Sequence, residues 1–126
     1  MVLVVDAMIV RGREGPPGPA AVVGVSFTWH GVLQSSEPAQ GFAMPTAGVF
    51  NPANFVGNCD VAPSADATFT LAIDGVGAGS VTFHAGVKVP TLVLTTTAYG
   101  KGSYVKAMPP ASPDASLSGP SFALLN

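Results

Sequence analysis

Glycine and proline set the strongest limit on what this chain can fold into. Fifteen glycines and twelve prolines are spread along its 126 residues. Both residues disfavour helix interiors, so every window is interrupted before apolar residues can recur at helical spacing. Alternation with period two is found instead in VVGVSFTWHGV, where Val23, Val25, Phe27 and Trp29 fall on one face. This pattern is typical of a half-buried strand, and the sequence therefore predicts an all-β chain.

A β-hairpin is predicted in the middle of the chain. In ATFTLAID, Phe69, Leu71 and Ile73 alternate with smaller residues, Asp74-Gly75 begins a glycine-rich turn, and SVTFHA supplies the returning strand. Three further β runs follow as TLVLTTT, SYVKAM and PSFALL. Residues 44–66 are compatible with a short strand and a loop, or with two crossing strands. The turn spacing predicts an antiparallel β-sandwich, jelly-roll-like, over residues 22–126.

A collagen-like segment precedes this domain. Residues 12–20 read GREGPPGPA, three triplets that each begin with glycine, the only residue that fits the axis of a triple helix. Three triplets are too few to hold three chains together, so a neighbouring domain must trimerise first. The segment at 11–21 is then either the neck of a homotrimer or a stiff proline-rich linker. The residues that carry the pattern are Gly12, Gly15, Pro16, Pro17, Gly18 and Pro19.

The first ten residues, MVLVVDAMIV, are predicted to form a docking strand. Since the collagen-like segment follows directly, we expect this strand to pair with something outside its own neighbourhood. Asp6 interrupts the apolar run and no basic residues precede it, which argues against a signal peptide or a membrane anchor. The docking positions are Val2, Val4, Met8 and Val10.

Charge and cysteine content exclude several classes of function. Charged residues make up 10% of the chain and the formal charge is −2, so the basic surface that nucleic-acid binding requires is missing. A single cysteine, Cys59, cannot form an internal disulfide or a cysteine-based zinc site. We expect neither nucleic acid nor a membrane as a partner.

No motif in the sequence predicts catalysis, a cofactor or a metal site. A G-x-S-x-G elbow is absent, and GKGS at 100–103 lacks the earlier glycine of a phosphate loop. His30 and His84 have no carboxylate at ligand spacing, so they are interpreted as surface or interface residues, although a threefold axis could bring three copies of one histidine together. The aspartates at 60, 66, 74 and 114 are interpreted as turn formers.

Two tyrosines and two lysines lie within eight residues near the C-terminus. Tyr99, Lys101 and Tyr104 are candidate glycan contacts, with Lys106 close by, since sugars are held by aromatic stacking and hydrogen bonds. The alternative is that one tyrosine packs at a trimer interface while the lysines keep an edge strand soluble.

Three motifs give the domain a resemblance to known proteins. PANF at 52–55, TFTLAIDG to GSVTF at 68–83 and SPDASLSGPSFAL at 112–124 resemble a β-domain of bacteriophage and prophage virion proteins, which often follows a Gly-X-Y segment. The resemblance covers residues 22–126 and consists of motifs of fold, so it implies no catalytic residues. One departure is AYGKGSYVKA, where family members commonly have a Gly-Asp pair.

The resemblance implies a structural protein exposed at the surface of a virion. We expect a trimeric capsid decoration or head-fibre protein that attaches through its N-terminus to capsid or other virion proteins, projects a β-knob and binds host-surface glycans weakly. The alternative is a tail-fibre tip that acts as a receptor-binding module. A tail fibre usually needs a longer shaft and a larger attachment domain than ten residues provide.

Overall fold

Two antiparallel sheets packed face to face form the domain. The structure is a computed structural model that describes residues 8–10, 22–34 and 37–126. Sheet 1 has the order β1-β2-β11-β5, sheet 2 has the order β3-β10-β6-β7-β8, and β4 pairs with β9 in a separate ladder. With strands numbered in chain order, the bounds are β1 Met8–Val10, β2 Val22–Thr28, β3 Gln40–Ala43, β4 Gly48–Val49, β5 Val56–Asn58, β6 Ala67–Ile73, β7 Val76–Phe83, β8 Thr91–Leu94, β9 Ala98–Tyr99, β10 Tyr104–Met108 and β11 Ser121–Leu125.

The prediction of an all-β, antiparallel fold is confirmed. A single 3-10 turn, Pro52–Asn54, interrupts the strands of the described residues. No helix in this part of the chain has the length and apolar character to cross a membrane. In sheet 2, β6, β7 and β8 are consecutive neighbours and β10 returns to lie beside β6, which is the strand order of a Greek key.

Aromatic side chains from both sheets fill the space between them. Trp29, directly after β2, contacts Phe69 of β6 with 4.9 Å between ring centroids, and Phe122 of β11 contacts the same ring at 5.4 Å. These three side chains are at most 2% exposed. The alternation predicted from the sequence is confirmed here, because Val25, Phe27, Trp29, Phe69, Leu71 and Ile73 are all buried.

The predicted hairpin is present as β6 and β7. Asp74 and Gly75 both have positive φ, 54° and 82°, between the paired residues Ile73 and Val76. Two central residues with positive φ define a type I′ turn, whose twist matches that of antiparallel strands. The register of the β6–β7 ladder shifts between Leu71 and Ala72, two residues before this turn.

Residues 44–66 contain two short strands that belong to different ladders. β4 pairs with β9, whereas β5 pairs with β11 at the edge of sheet 1. Asn51 caps the 3-10 turn between them by accepting a hydrogen bond from the Ala53 N–H at 3.0 Å. The two-strand interpretation of this region is therefore the one that the structure supports.

The N-terminal strand pairs within its own chain. β1 is antiparallel to β2, with Val10 opposite Val22, whereas the sequence led us to expect pairing outside its neighbourhood. Val2, Val4 and the collagen-like residues 12–20 lie outside the described residues. Antiparallel partners are about 5 Å apart at Cα, and nine collagen-like residues span roughly 28 Å. A projecting neck therefore requires β1 to leave β2, and the docking role of β1 stays a prediction.

Replacing Phe69 with alanine tests the role of the aromatic contacts. The change removes the ring that contacts Trp29 and Phe122 across the sandwich, and we expect a loss of about 3–5 kcal/mol in the free energy of unfolding. Urea denaturation measures it. Val93→Thr, at a side chain 59% exposed, is the control and should change stability by less than about 0.5 kcal/mol. A small loss for Phe69→Ala would show that the aromatic cluster does not hold the sheets together.

Candidate functional site

The two tyrosines proposed as glycan contacts lie in different environments. Tyr99 is 6% exposed and its ring packs on Phe50, with 4.5 Å between centroids. Its hydroxyl is buried without a hydrogen-bond partner in the described residues, and burial raises the pKa of the phenol. Tyr104, by contrast, is 48% exposed. Tyr99 is therefore removed from the predicted glycan contacts, and its packing partner belongs to its own chain.

Gly41 has no side chain, and this leaves room for the Tyr104 ring on the outer face of sheet 2. A methyl group built on Gly41 would overlap the Cζ and Oη atoms of Tyr104, so the phenol lies directly over the glycine. Gly41 is the cross-strand partner of Lys106. The ring of Tyr104 therefore extends from its own position on β10 toward the row of the sheet that contains Lys106.

The backbone of Tyr104 is fixed by the hairpin turn of β6 and β7. Asp74 accepts hydrogen bonds from the Tyr104 N–H at 2.8 Å and from the Ser103 hydroxyl at 2.9 Å, and the Asp74 N–H donates to the Tyr104 carbonyl at 2.9 Å. These bonds lower the pKa of the Asp74 carboxyl, the Tyr104 N–H having the larger effect. The start of β10 is thus joined to a turn of defined geometry, which orients the aromatic ring.

Lys106 does not protect an edge strand. β10 lies between β3 and β6, so Lys106 stands on an interior strand of sheet 2. Its cross-strand neighbours are Gly41 on one side and Ala72 on the other, neither of which carries a polar side chain. Lys101 lies exposed in the turn before β10. Neither ammonium is within ion-pairing distance of a carboxylate among the residues that the structure describes.

Hydroxyl groups and the exposed Val93, opposite Ser80, cover the rest of this surface. On β6, β7 and β8, the residues between buried core positions point outward and are mostly serine and threonine. Thr68 pairs with Thr82, and their hydroxyl oxygens are 3.1 Å apart. We call the whole surface the Tyr104 face. Its residues are Thr68, Thr70, Ser80, Thr82, Thr91, Val93, Tyr104, Lys106 and Met108.

His84 forms a hydrogen-bonded row at one end of the Tyr104 face. Its Nδ1 is 3.2 Å from Oδ2 of Asp66 and its Nε2 is 3.0 Å from the Thr91 hydroxyl. Asp66 also accepts from the Ala85 N–H, which is the main cause of its lowered pKa. The row connects β7 to β8 across their loop. His30 is exposed and separate from it.

The sequence predicted turn-forming roles for Asp60, Asp66, Asp74 and Asp114, and Asp114 joins two loops of the structure. Asp114 accepts from the Ser64 hydroxyl at 2.6 Å and from the backbone N–H groups of Ser64, Ala65 and Ser116. The Ser64 hydroxyl contributes most to a pKa of about 2 for this carboxyl. No three histidine, cysteine or acidic side chains lie close enough to hold a metal ion in the described ranges.

Open depressions lie along β5 and β11 of sheet 1. One, of about 480 Å³, is lined by Cys59, Asp60 and Lys88 among others. The Cys59 thiol is buried and donates to the Lys88 carbonyl at 3.6 Å, and desolvation raises its pKa. This thiol is held by its surroundings as a structural group, and thiolate chemistry is disfavoured there.

Comparisons with known proteins add little to this geometry. No family model and no curated protein matches the chain. Among solved structures, the chain is similar to one described as carbohydrate-binding module CBM36 in complex with calcium and xylotriose. The two are 17% identical over 98% of each chain, with a TM-score of 0.41. A likeness of this size carries no argument about ligand or function.

Several features of the site could not be found from the sequence. The sequence indicated Tyr104 and the lysines by their proximity along the chain. Gly41, which seats the ring, is 63 residues away, and Asp66 is 18 residues from His84. Only the strand register brings these residues together. Hydroxyl residues alternate with an apolar residue in TFT at 68–70 and in SVT at 80–82, and this alternation was the sequence signal for the hydroxyl rows.

The low pKa of Asp114 predicts a pH-dependent part of the stability. Since the folded-state pKa lies below the ordinary 3.8, this contribution is complete above about pH 4 and is lost as pH falls toward 2. Asp114→Asn should lower the melting temperature at pH 7 and flatten its fall between pH 4 and 2. Thermal unfolding followed by circular dichroism measures both. Ser64→Ala should remove part of this fall in melting temperature. If Asp114→Asn leaves the pH dependence of the melting temperature unchanged, the low pKa does not belong to Asp114.

Proposed function

We propose that this chain is a structural protein displayed on the surface of a bacteriophage particle, as a trimeric capsid decoration or head fibre. The N-terminal strand docks to a capsid or other virion protein, and the β-sandwich forms the exposed knob. The knob binds host-surface glycans weakly through the Tyr104 face. The motifs that resemble phage virion domains support this proposal, since TFTLAIDG to GSVTF falls on the β6–β7 hairpin, SPDASLSGPSFAL extends into β11, and PANF falls on the 3-10 turn between β4 and β5.

One observation supports the use of separate surfaces for attachment and for glycan binding. β1 lies at the edge of sheet 1, whereas Lys106 and the exposed Tyr104 lie on the outer face of sheet 2. Attachment through the N-terminal strand therefore leaves the Tyr104 face directed away from the sheet that carries the anchor. In a homotrimer, three copies of this face would act together, and linked weak sites bind far more tightly than one.

The collagen-like segment connects these two functions in the proposal. It gathers three chains between the anchor and the knob, with the β-domains supplying the trimer contacts that three triplets cannot supply alone. Because Val10 and Val22 are cross-strand partners in the isolated chain, docking on the particle begins with the release of β1 from β2.

Immunogold labelling of intact particles locates the protein directly. Antibody raised against residues 22–126 should place gold on the capsid of the phage that carries this chain. An antibody to the major capsid protein and one to a tail protein serve as references. Gold confined to the tail tip would contradict a capsid decoration and establish the tail-fibre alternative, and unlabelled particles would overturn both.

A disulfide between β1 and β2 tests the release step. Ile9 and Val23 are cross-strand partners, and antiparallel partners are about 5 Å apart at Cα, which suits a disulfide. In a Cys59→Ala background, Ile9→Cys with Val23→Cys should lock β1 and reduce incorporation into particles under oxidising conditions. Dithiothreitol should restore it, and Ile9→Cys alone should behave as the parent does. Equal incorporation of the locked and reduced forms would contradict release.

A further inference from the structure

We infer that the glycan bound by the Tyr104 face is anionic, with its sugar ring on Tyr104 and a carboxylate or sulfate group at Lys106. The inference rests on the proposed glycan binding and names its chemical class. It follows from three features of the face: a seated aromatic ring, an unpaired cation beside the ring, and a nearby carboxylate whose oxygens are already engaged.

The aromatic ring has the exposure and support that a sugar platform needs. Tyr104 is 48% exposed and lies over Gly41, so one side of the phenol packs on backbone while the other side faces solvent. An aromatic side chain has few rotatable bonds. The backbone of Tyr104 also forms two hydrogen bonds with Asp74 of the hairpin turn. A ring ordered before binding loses little conformational entropy when a ligand stacks on it.

The cation beside the ring has no partner of its own. Lys106 stands opposite Gly41 and Ala72 in the ladder, and the phenol lies over that same Gly41. Lys106 and Tyr104 therefore occupy successive outward positions on β10, and the ammonium group is not neutralised by a carboxylate of the described residues. Lys101, in the turn that leads into β10, adds a second unpaired cation at this end of the face.

Asp74, in the turn that contacts Tyr104, forms no ion pair with these lysines, and each of its carboxylate oxygens accepts a hydrogen bond. Asp74 uses one carboxylate oxygen for the Tyr104 N–H and the other for the Ser103 hydroxyl. Its carboxylate is therefore committed to the turn. The chain has a net charge of −2, yet two of the three lysines in the sequence flank its exposed tyrosine. This local reversal of sign favours an anionic ligand at this position.

The hydroxyl rows extend the site along the sheet. From Lys106 the outward positions continue to Met108, which is opposite Thr70, and then to the paired Thr68 and Thr82. At about 3.3 Å per residue, the distance along the strands from the row of Tyr104 to that of Thr68 is roughly 20 Å. A face of this length accommodates an oligosaccharide, with neutral hydroxyls contacting sugar units beyond the charged one.

Binding to matched pairs of glycans tests the inference with the full-length protein. One pair is polygalacturonate and its fully methyl-esterified form, and the other is polymer-linked 3′-sialyllactose and the same polymer with its sialic acid carboxylate methyl-esterified. Each pair shares its sugars and differs in the carboxylate. We expect the acidic member of at least one pair to bind roughly fivefold more tightly per site in biolayer interferometry, and the difference to shrink with salt, since an exposed charge contributes modestly.

Variants separate the role of charge from that of stacking. Lys106→Gln should reduce binding of the acidic member to the level of the neutral one, and Lys106→Arg should retain the preference. Lys88→Gln removes one positive charge beside the sheet 1 depression and should change nothing. Tyr104→Ala should abolish binding, whereas Tyr99→Phe should leave it intact. Gly41→Ala displaces the Tyr104 ring without removing it and should weaken binding of both members.

The outcomes distinguish the inference from the proposed function. Equal binding of acidic and neutral members, still dependent on Tyr104, would overturn the anionic ligand and leave glycan binding in place. An acidic preference that survives Lys106→Gln would also overturn the assignment. Absence of binding to all four polymers would overturn glycan recognition by this face, while the particle location measured by immunogold would stand independently.

Discussion

The contact of Phe69 with Trp29 and Phe122 joins the two sheets, and the positions of the residues proposed to bind glycan follow from it. Phe69 is on β6, in the interior of sheet 2, and its ring meets aromatic rings contributed by β11 and by the end of β2. Alternation along a strand then directs the neighbours of each buried residue outward. Burial of Phe69 thus places Thr68 and Thr70 on the outer face, and burial of Val105 and Ala107 does the same for Tyr104 and Lys106.

The Tyr104 face depends on small residues as much as on aromatic ones. Gly41 gives the phenol a place to lie, and Ala72 leaves the other side of Lys106 open. The type I′ turn at Asp74 and Gly75 supplies a carboxylate that fixes the first residue of β10. A surface built in this way presents one aromatic ring, one central ammonium group and rows of hydroxyls on a rigid sheet. Such a combination is suited to weak, repeated contacts with sugars, which trimer formation would strengthen.

Period-two alternation and turn chemistry predicted most of the framework. β2, β6, β8, β10 and β11 fall where the sequence placed β runs, and Asp74-Gly75 is the hairpin turn. β7 begins at Val76, four residues before the predicted SVTFHA, because the turn has only two residues. The burial of Tyr99 was not predictable, because its partner Phe50 is 49 residues away and the β4–β9 ladder that joins them has only two residues per strand. For the same reason the sequence could not place His84 beside Asp66. Pairing between distant strands determined both outcomes, and local patterns do not encode it.

The central claim is that the outer face of sheet 2 recognises a glycan through Tyr104. The most direct test is a titration of ¹⁵N-labelled full-length protein with a sialylated or uronic-acid oligosaccharide, followed by two-dimensional NMR. We expect the largest amide shift changes at Gly41, Tyr104, Lys106 and the hydroxyl rows of β6 and β7, with the core strands of sheet 1 unaffected. Shift changes confined to β5 and β11, or none at millimolar ligand, would contradict the claim.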